Sequence, residues 1–198
     1  MHCNSKLLFK TYAPDYFKKE SQVLEIGPDA FPSSYRKLIE NETARWDTLD
    51  IFENPKLTYS NSPENKFLIP DNKYDVVLAA NVLEHVKKPW VWLKEVGRVC
   101  APGGHLILVT PVSWPYHPAP VDCYRIYPDG MKALLEEAGL ETVKCLFESR
   151  ELPGYKRYTP GTSPECQSQI LRWFFRLAGP LGFPVERAYD TIAIARKL

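Results

Sequence analysis

Glu25-Ile26-Gly27, Asp50, and a later loop carrying His117, Asp122 and Arg125 are the residues whose types and spacing could do chemistry. Gly27 follows an apolar run, Gln22–Ile26, that reads as a buried strand. A glycine there lets the backbone approach a ligand, and a helix after it would offer free N–H groups; the plain alternative is a strand-to-helix turn. Asp50 ends a second run, Ala44–Leu49, about two dozen residues on, where an acid can accept both hydroxyls of a ribose. Asp47 competes for that role. Strand alternation puts the two on different faces, so only one points into a site. His117 has an ordinary pKa near ~6.5 and could take a proton from an attacking hydroxyl or amine, or be a simple turn residue. Asp122 and Arg125, three apart, can pair, either bracing their loop or clamping an anionic or polyol substrate. Trp114, Tyr116 and Tyr124 surround them in sequence.

These residues need elements to bring them together. Tyr74–Ala80 and His105–Thr110 are apolar, strand-like runs bracketing a helical segment, Pro89–Val99, with Pro102-Gly103-Gly104 as the turn into the second run. Strand, crossover helix and strand make a βαβ unit, which requires a parallel sheet covered on both faces. Ligands of such sheets collect at the carboxyl ends of the strands, here Ala79–Asn81 and Thr110–Ser113. Pro32 can open a helix presenting Tyr35, Leu38 and Ile39 on one face. Leu57–Tyr59 reads as a short third strand, Pro128–Ala138 as a helix ended by Gly139, and Leu140–Glu148 and Tyr189–Ala195 as strands. Six or seven strands with helices between them give an α/β three-layer fold. The proline-rich segment 111–127 reads as a rigid irregular loop. Residues 151–184 form an insertion with one helix at about 165–178, whose Ile170, Leu171, Trp173, Phe174, Phe175 and Leu177 make it apolar on two faces, more than one stripe needs. It can cover the sheet edge, close as a lid, or pair two copies of the chain.

Composition narrows the function classes. Lysine and arginine number 25 against 24 acids in 198 residues, a balance with no net field for nucleic acid or anionic lipid. One domain, 1–198, is the expectation at this length. No apolar stretch reaches the ~18 residues of a membrane span, and the start lacks the pattern of a signal peptide. Five scattered cysteines without CxxC suit reduced thiols in the cytoplasm, with Cys123 as a small buried filler. No cluster of ligands suggests a metal. After Gly27 come Pro28, Asp29, Ala30 and Phe31, so the GxGxxG cradle for a pyrophosphate is absent and a nicotinamide enzyme is disfavoured.

The run VLEIG…LDI…FLIPDNKYDVVLAANVLEHV…WLKEVGRVCAPGGHLIL resembles the class I S-adenosylmethionine-dependent methyltransferases, specifically their type 11 small-molecule group. The resemblance implies a Rossmann-like three-layer sandwich with a mostly parallel seven-stranded sheet and an antiparallel last strand. It implies S-adenosylmethionine as cofactor, with Glu25, Gly27 and Pro28 at its methionine portion and Asp50 and Ile51 at the ribose. The Asn61–Asn65 loop, with Pro63 and Glu64, would lie against adenine. Ala80 and Asn81 would stand beside the sulfonium, and His85 would be a wall or helix-start residue. The loop bearing Trp114, Tyr116, His117, Asp122, Tyr124 and Arg125 would face the methyl group and the acceptor. The expected reaction is methyl transfer to an oxygen or nitrogen of a small molecule such as a sugar or secondary metabolite, with His117 as base. Only Gly27 remains of the family's glycine-rich turn, which keeps a non-catalytic binding or scaffolding module as the competing expectation.

Overall fold

The computed structural model describes residues 3–39, 44–118, 120–151, 156–157, 165–166, 170, 173–174, 177 and 188–198. Six strands form the main sheet: β1 (Gln22–Ile26), β2 (Arg45–Leu49), β3 (Tyr74–Ala80), β4 (Cys100–Pro111), β5 (Leu140–Glu148) and β8 (Asp190–Lys197). Their spatial order is β2-β1-β3-β4-β8-β5. The first four are parallel, and β8 runs antiparallel between β4 and β5. Two short strands, β6 (Lys156–Arg157) and β7 (Glu165–Cys166), form a separate antiparallel pair.

Alternation along the strands builds two cores. Leu24, Val77, Leu106, Leu108 and Ala193 face α2 (Pro89–Val99) and α3 (Pro128–Glu137), whose Trp92, Leu93, Val96, Met131 and Leu135 are buried against them. Val23, Val76, Leu78, Ile107 and Ile192 face the other way and meet Leu8 and Phe9 of α1 (Cys3–Tyr12). The result is the three-layer α/β arrangement expected of covered parallel strands.

Several expectations change. The expected third strand at Leu57–Tyr59 is an isolated bridge, Leu49 to Tyr59, so the sheet has six strands rather than seven. The turn at Asn54 leaves too few residues to pair further; Tyr59 spends its amide on Thr48 O at 2.8 Å and its carbonyl on Asp50 N at 3.1 Å. The helix expected after Pro32 is one 3-10 turn, Arg36–Leu38. Ser33 and Ser34 explain this, because their hydroxyls bond Glu25 and Asp29 locally in place of a helical ladder. Pro102–Gly104 lies inside a continuous β4, with the register shifting opposite Tyr74/Val76. A Cβ on Gly104 would come within 2.9 Å of Asp75 O, so the strands meet there only through a glycine. In the insertion, Glu165–Cys166 is strand, which moves the start of the expected 165–178 helix; residues 170, 173, 174 and 177 are helical and exposed. The rest of 151–184 falls largely outside the described residues.

Candidate active site

The carboxyl ends of β1, β2 and β3 open on a cavity of about 450 Å³. Gly27 sits at the tip of β1 with φ +69°. A Cβ there would meet Val82 Cγ2 at 2.6 Å, so glycine is what lets the two strand tips approach. Asp50 lines the cavity at the tip of β2, and its Oδ1 accepts from Phe52 N at 3.1 Å, which aims the carboxylate. Asp47 faces away and is held by Lys73 Nζ at 2.9 Å and Tyr74 OH at 2.7 Å. Of the two acids, Asp50 is the one that lines the cavity. At the tip of β3, Asn81 adopts φ +58° and takes a hydrogen bond from Tyr35 OH at 3.1 Å.

Walls come from residues that sequence reasoning passed over. Leu49, Phe52, Phe67, Val82, Val86 and Trp92 supply apolar surface and Lys87 a charge, while the expected Ile51, Glu64 and His85 join the lining with Pro120 and Val121. Phe67 and Trp92 are ordinary core residues by sequence pattern, so only the three-dimensional arrangement reveals them. Neither Phe31 nor Tyr35 blocks the opening: Tyr35 is packed against Phe9 behind Asn81, and Phe31 lines a separate depression.

Other expected positions fall outside this lining. Glu25 is held away from the cavity, where its carboxylate accepts from Ser33 Oγ at 2.7 Å and Trp46 Nε1 at 2.9 Å. Burial pushes its carboxyl up to about 7, against the pull of those two donors. Pro28 and Pro63 lie off the cavity, and Ala80 is packed in the core on the α1 side. Trp114, Tyr116, Tyr124, Asp122 and Arg125 do not line it either. Asp122 and Arg125 form a two-pronged ion pair at 2.5 and 2.7 Å, and Arg125 also donates to the carbonyls of Trp114 and Pro115 at 3.1 Å. Burial raises the Asp122 carboxyl, but the Arg125 and His117 donors outweigh it and bring it to about 2. The pair therefore acts as the loop's brace. Tyr116 is exposed, and Cys123 is also exposed rather than buried.

That loop is stitched to the cavity wall. Val121 O meets His85 Nδ1 at 2.5 Å, Cys123 N donates to Glu84 O at 2.7 Å, and Tyr124 OH donates to Lys87 O at 3.1 Å. The fold-back sets the His117 ring 5.1 Å from the His85 ring, edge to face. Desolvation lowers the His117 pKa, more than the Pro115 carbonyl and Asp122 raise it, which leaves the ring neutral at pH 7. Beside both rings lies Glu84, fully buried and with no hydrogen-bond partner for either carboxylate oxygen.

The lining suits a nucleoside sulfonium. The volume lies in the ~300–1,000 Å³ range of small-molecule sites, the acid stands where a ribose acid is needed, and the apolar walls suit an adenine. Among the described residues only the 3-10 turn Arg36–Leu38, and no α-helix, lies between β1 and β2 to attract a phosphate.

Comparison with known proteins agrees with this geometry. A family model described as a methyltransferase domain matches residues 5–145. An uncharacterized methyltransferase of Mycobacteroides abscessus is 39% identical over 56 residues, which are 28% of this chain and 22% of that protein. The chain thus spans about a fifth of the length of the curated relative it matches. A SAM-dependent methyltransferase from Archaeoglobus fulgidus superposes with TM-score 0.61 at 19% identity, over 97% of this chain and 92% of that one. The 1,6-didemethyltoxoflavin-N1-methyltransferase of Burkholderia thailandensis, solved with its substrate and S-adenosylhomocysteine, gives TM-score 0.64 at 13% identity over 98% and 78%. With strand order, cavity and family model in agreement, the chain belongs to the methyltransferase-domain family, in its class I, Rossmann-like form.

Proposed function

We propose that this chain transfers a methyl group from S-adenosylmethionine to an oxygen or nitrogen of a small molecule, with a sugar or secondary metabolite as the favoured acceptor class. One observation carries the reading: an open cavity at the tips of three parallel strands, with Gly27 and Asp50 converging on it. When bound, S-adenosylmethionine supplies an electrophilic methyl on a good leaving group. The chain's own work is then placement, which contributes up to ~7–11 kcal/mol in favourable cases. Asp50 would accept from the ribose hydroxyls, Gly27 would leave room for the methionine portion, and Phe67 and Trp92 would flank the base. The braced loop 111–127 would form the acceptor side, with Trp114 and His117 nearest the stitched wall. A neutral residue balance and the absence, among the described residues, of a helix fit to cross a membrane agree with a small acceptor. A single domain, 1–198, with 111–127 and 151–184 on the substrate side, is part of the same proposal.

Titration calorimetry with S-adenosylmethionine and S-adenosylhomocysteine is the test. We expect both to bind more tightly than ~1 mM, and Asp50→Ala to weaken binding ~10–100-fold through lost charge-assisted hydrogen bonds. Absence of binding at millimolar concentration would favour the scaffolding module instead.

A further inference from the structure

We propose that Glu84, His85 and His117 bind one divalent transition-metal cation of the zinc type beside the cavity, whose lining includes His85 but neither Glu84 nor His117. One ligand atom from each of the three lies within 4.8 Å of the others. On a tetrahedral zinc such atoms stand ~3.3 Å apart, so a small inward movement completes the set. Glu84 supplies the independent observation. A carboxyl group with no hydrogen-bond partner is costly to bury, yet Glu84 is fully enclosed and directed at His85 Nε2, 3.7 Å from its Oε1. A cation taking the place of its proton would give both oxygens a partner.

Both histidines are already in the ligating form. His85 Nδ1 meets the Val121 carbonyl at 2.5 Å, and a carbonyl only accepts, so Nδ1 holds the hydrogen and Nε2 the lone pair. His117 Nδ1 meets the Pro115 carbonyl at 3.1 Å and lies 3.4 Å from Asp122 Oδ2, which fixes the same tautomer. Carbonyls and carboxylates behind the imidazoles are what orient metal-bound histidines. Asp122 is in turn gripped by Arg125, giving the brace a purpose beyond holding its loop.

Two imidazoles and one carboxylate leave at least one coordination position for an outside oxygen, the arrangement of catalytic rather than structural zinc. The role, though not the binding, rests on the methyl-transfer reading. An acceptor hydroxyl on the cation would lose its proton to water, as metal-bound water does near neutrality. Its oxygen would attack the methyl carbon while the carbon–sulfur bond breaks and its electron pair returns to sulfur, giving a methyl ether and a thioether. The charge of the cation would be matched by Glu84 and the ionised oxygen, so the metal would add no net repulsion to the neighbouring sulfonium. His117, with Nε2 on the cation, then has no part as a base.

Cobalt(II) titration of the full chain, followed by its visible d–d bands, tests the site directly. We expect one equivalent to bind with nitrogen–oxygen spectra, and Glu84→Gln and His117→Ala each to weaken uptake at least tenfold. His117 lies in an irregular loop, so its variant keeps the test alive if Glu84→Gln misfolds. No uptake, uptake unchanged in both variants, or the charge-transfer bands of a cysteine-bound cobalt would each overturn the proposal. Calorimetry with S-adenosylhomocysteine on the same samples separates the two readings. Cofactor binding without cobalt uptake removes the metal alone; cobalt uptake without cofactor binding removes the methyl-transfer role.

Discussion

Glu25 in β1 and Gly27 just past its end do different work: the glycine lines the cavity, while the Glu25 side chain is held by Ser33 and Trp46 away from it. Gly27→Ala would impose a left-handed φ on alanine and press a methyl into Val82, at a cost of about 1–2 kcal/mol. We expect a lower melting temperature and at least tenfold weaker cofactor binding by calorimetry, because the side chain that must give way, Val82, lines the cavity. Glu25 has a consequence in pH. Its carboxyl titrates near 7 folded against an ordinary 4.5, so the native state holds the proton more tightly. The stability it contributes is present below pH 4.5 and is lost as pH rises through 7, a span of about 3 kcal/mol. Glu25→Gln keeps an oxygen for Ser33 and Trp46 and cannot ionise. Urea denaturation at pH 5 and pH 8 should show the wild-type chain losing stability relative to this variant; parallel curves would refute the assignment. The family resemblance placed Glu25 at the cofactor, and alternation gives two residues i and i+2 the same face, so only the observed bonds to Ser33 and Trp46 draw Glu25 away from the cavity. Glu84 gave no signal either, since its burial depends on a loop some forty residues later folding back over it.

At the level of elements, helix α2 holds the cavity's far wall through one side chain. Arg98 donates to the carbonyls of Phe67 and Ile69 at 3.1 and 2.9 Å and pairs with Glu95, whose Oε1 also takes the amide of Phe67 at 2.6 Å. Segment 67–71 has no regular structure of its own, so this clamp substitutes for a ladder. Arg98→Ala should cost about 1–3 kcal/mol in chemical denaturation and weaken cofactor binding, because Phe67 lines the cavity. A stability loss with unchanged binding would show that Phe67 is held by packing alone. The strands and α2 were legible because each carries a strong local period. The turn after Pro32 and the bridge at Tyr59 were not, because side-chain hydrogen bonds and a short connection override apolar spacing there. Helix α1 escaped notice for a similar reason: CNSKLLFKTY has few apolar residues, and beside Leu8 and Phe9 it is polar Asn4 and Ser5, bonded to Asp190 of β8, that commit it to the sheet.

For the molecule as a whole, Leu8 and Phe9 join Ala13, Phe17 and Tyr35 in covering the second face of the six strands. Leu8→Ala should cost about 2–5 kcal/mol. If residues 1–198 fold as one unit, tryptophan fluorescence and far-ultraviolet circular dichroism should shift together in urea; separated transitions would divide the chain into more than one domain. Family membership does not by itself fix the chemistry, since one scaffold hosts many reactions. The loop after β4 offers a route to such variety. Val112 and Ser113 are fixed to Tyr189, and residues 121–124 to the wall at 84–87. An arch with both feet anchored can change its crown without disturbing its foundations. Substitutions at exposed crown positions such as Tyr116 and Pro118 would retune which acceptors are admitted while nucleoside capture stays untouched, and a scaffold so divided can diversify one choice without forfeiting the other.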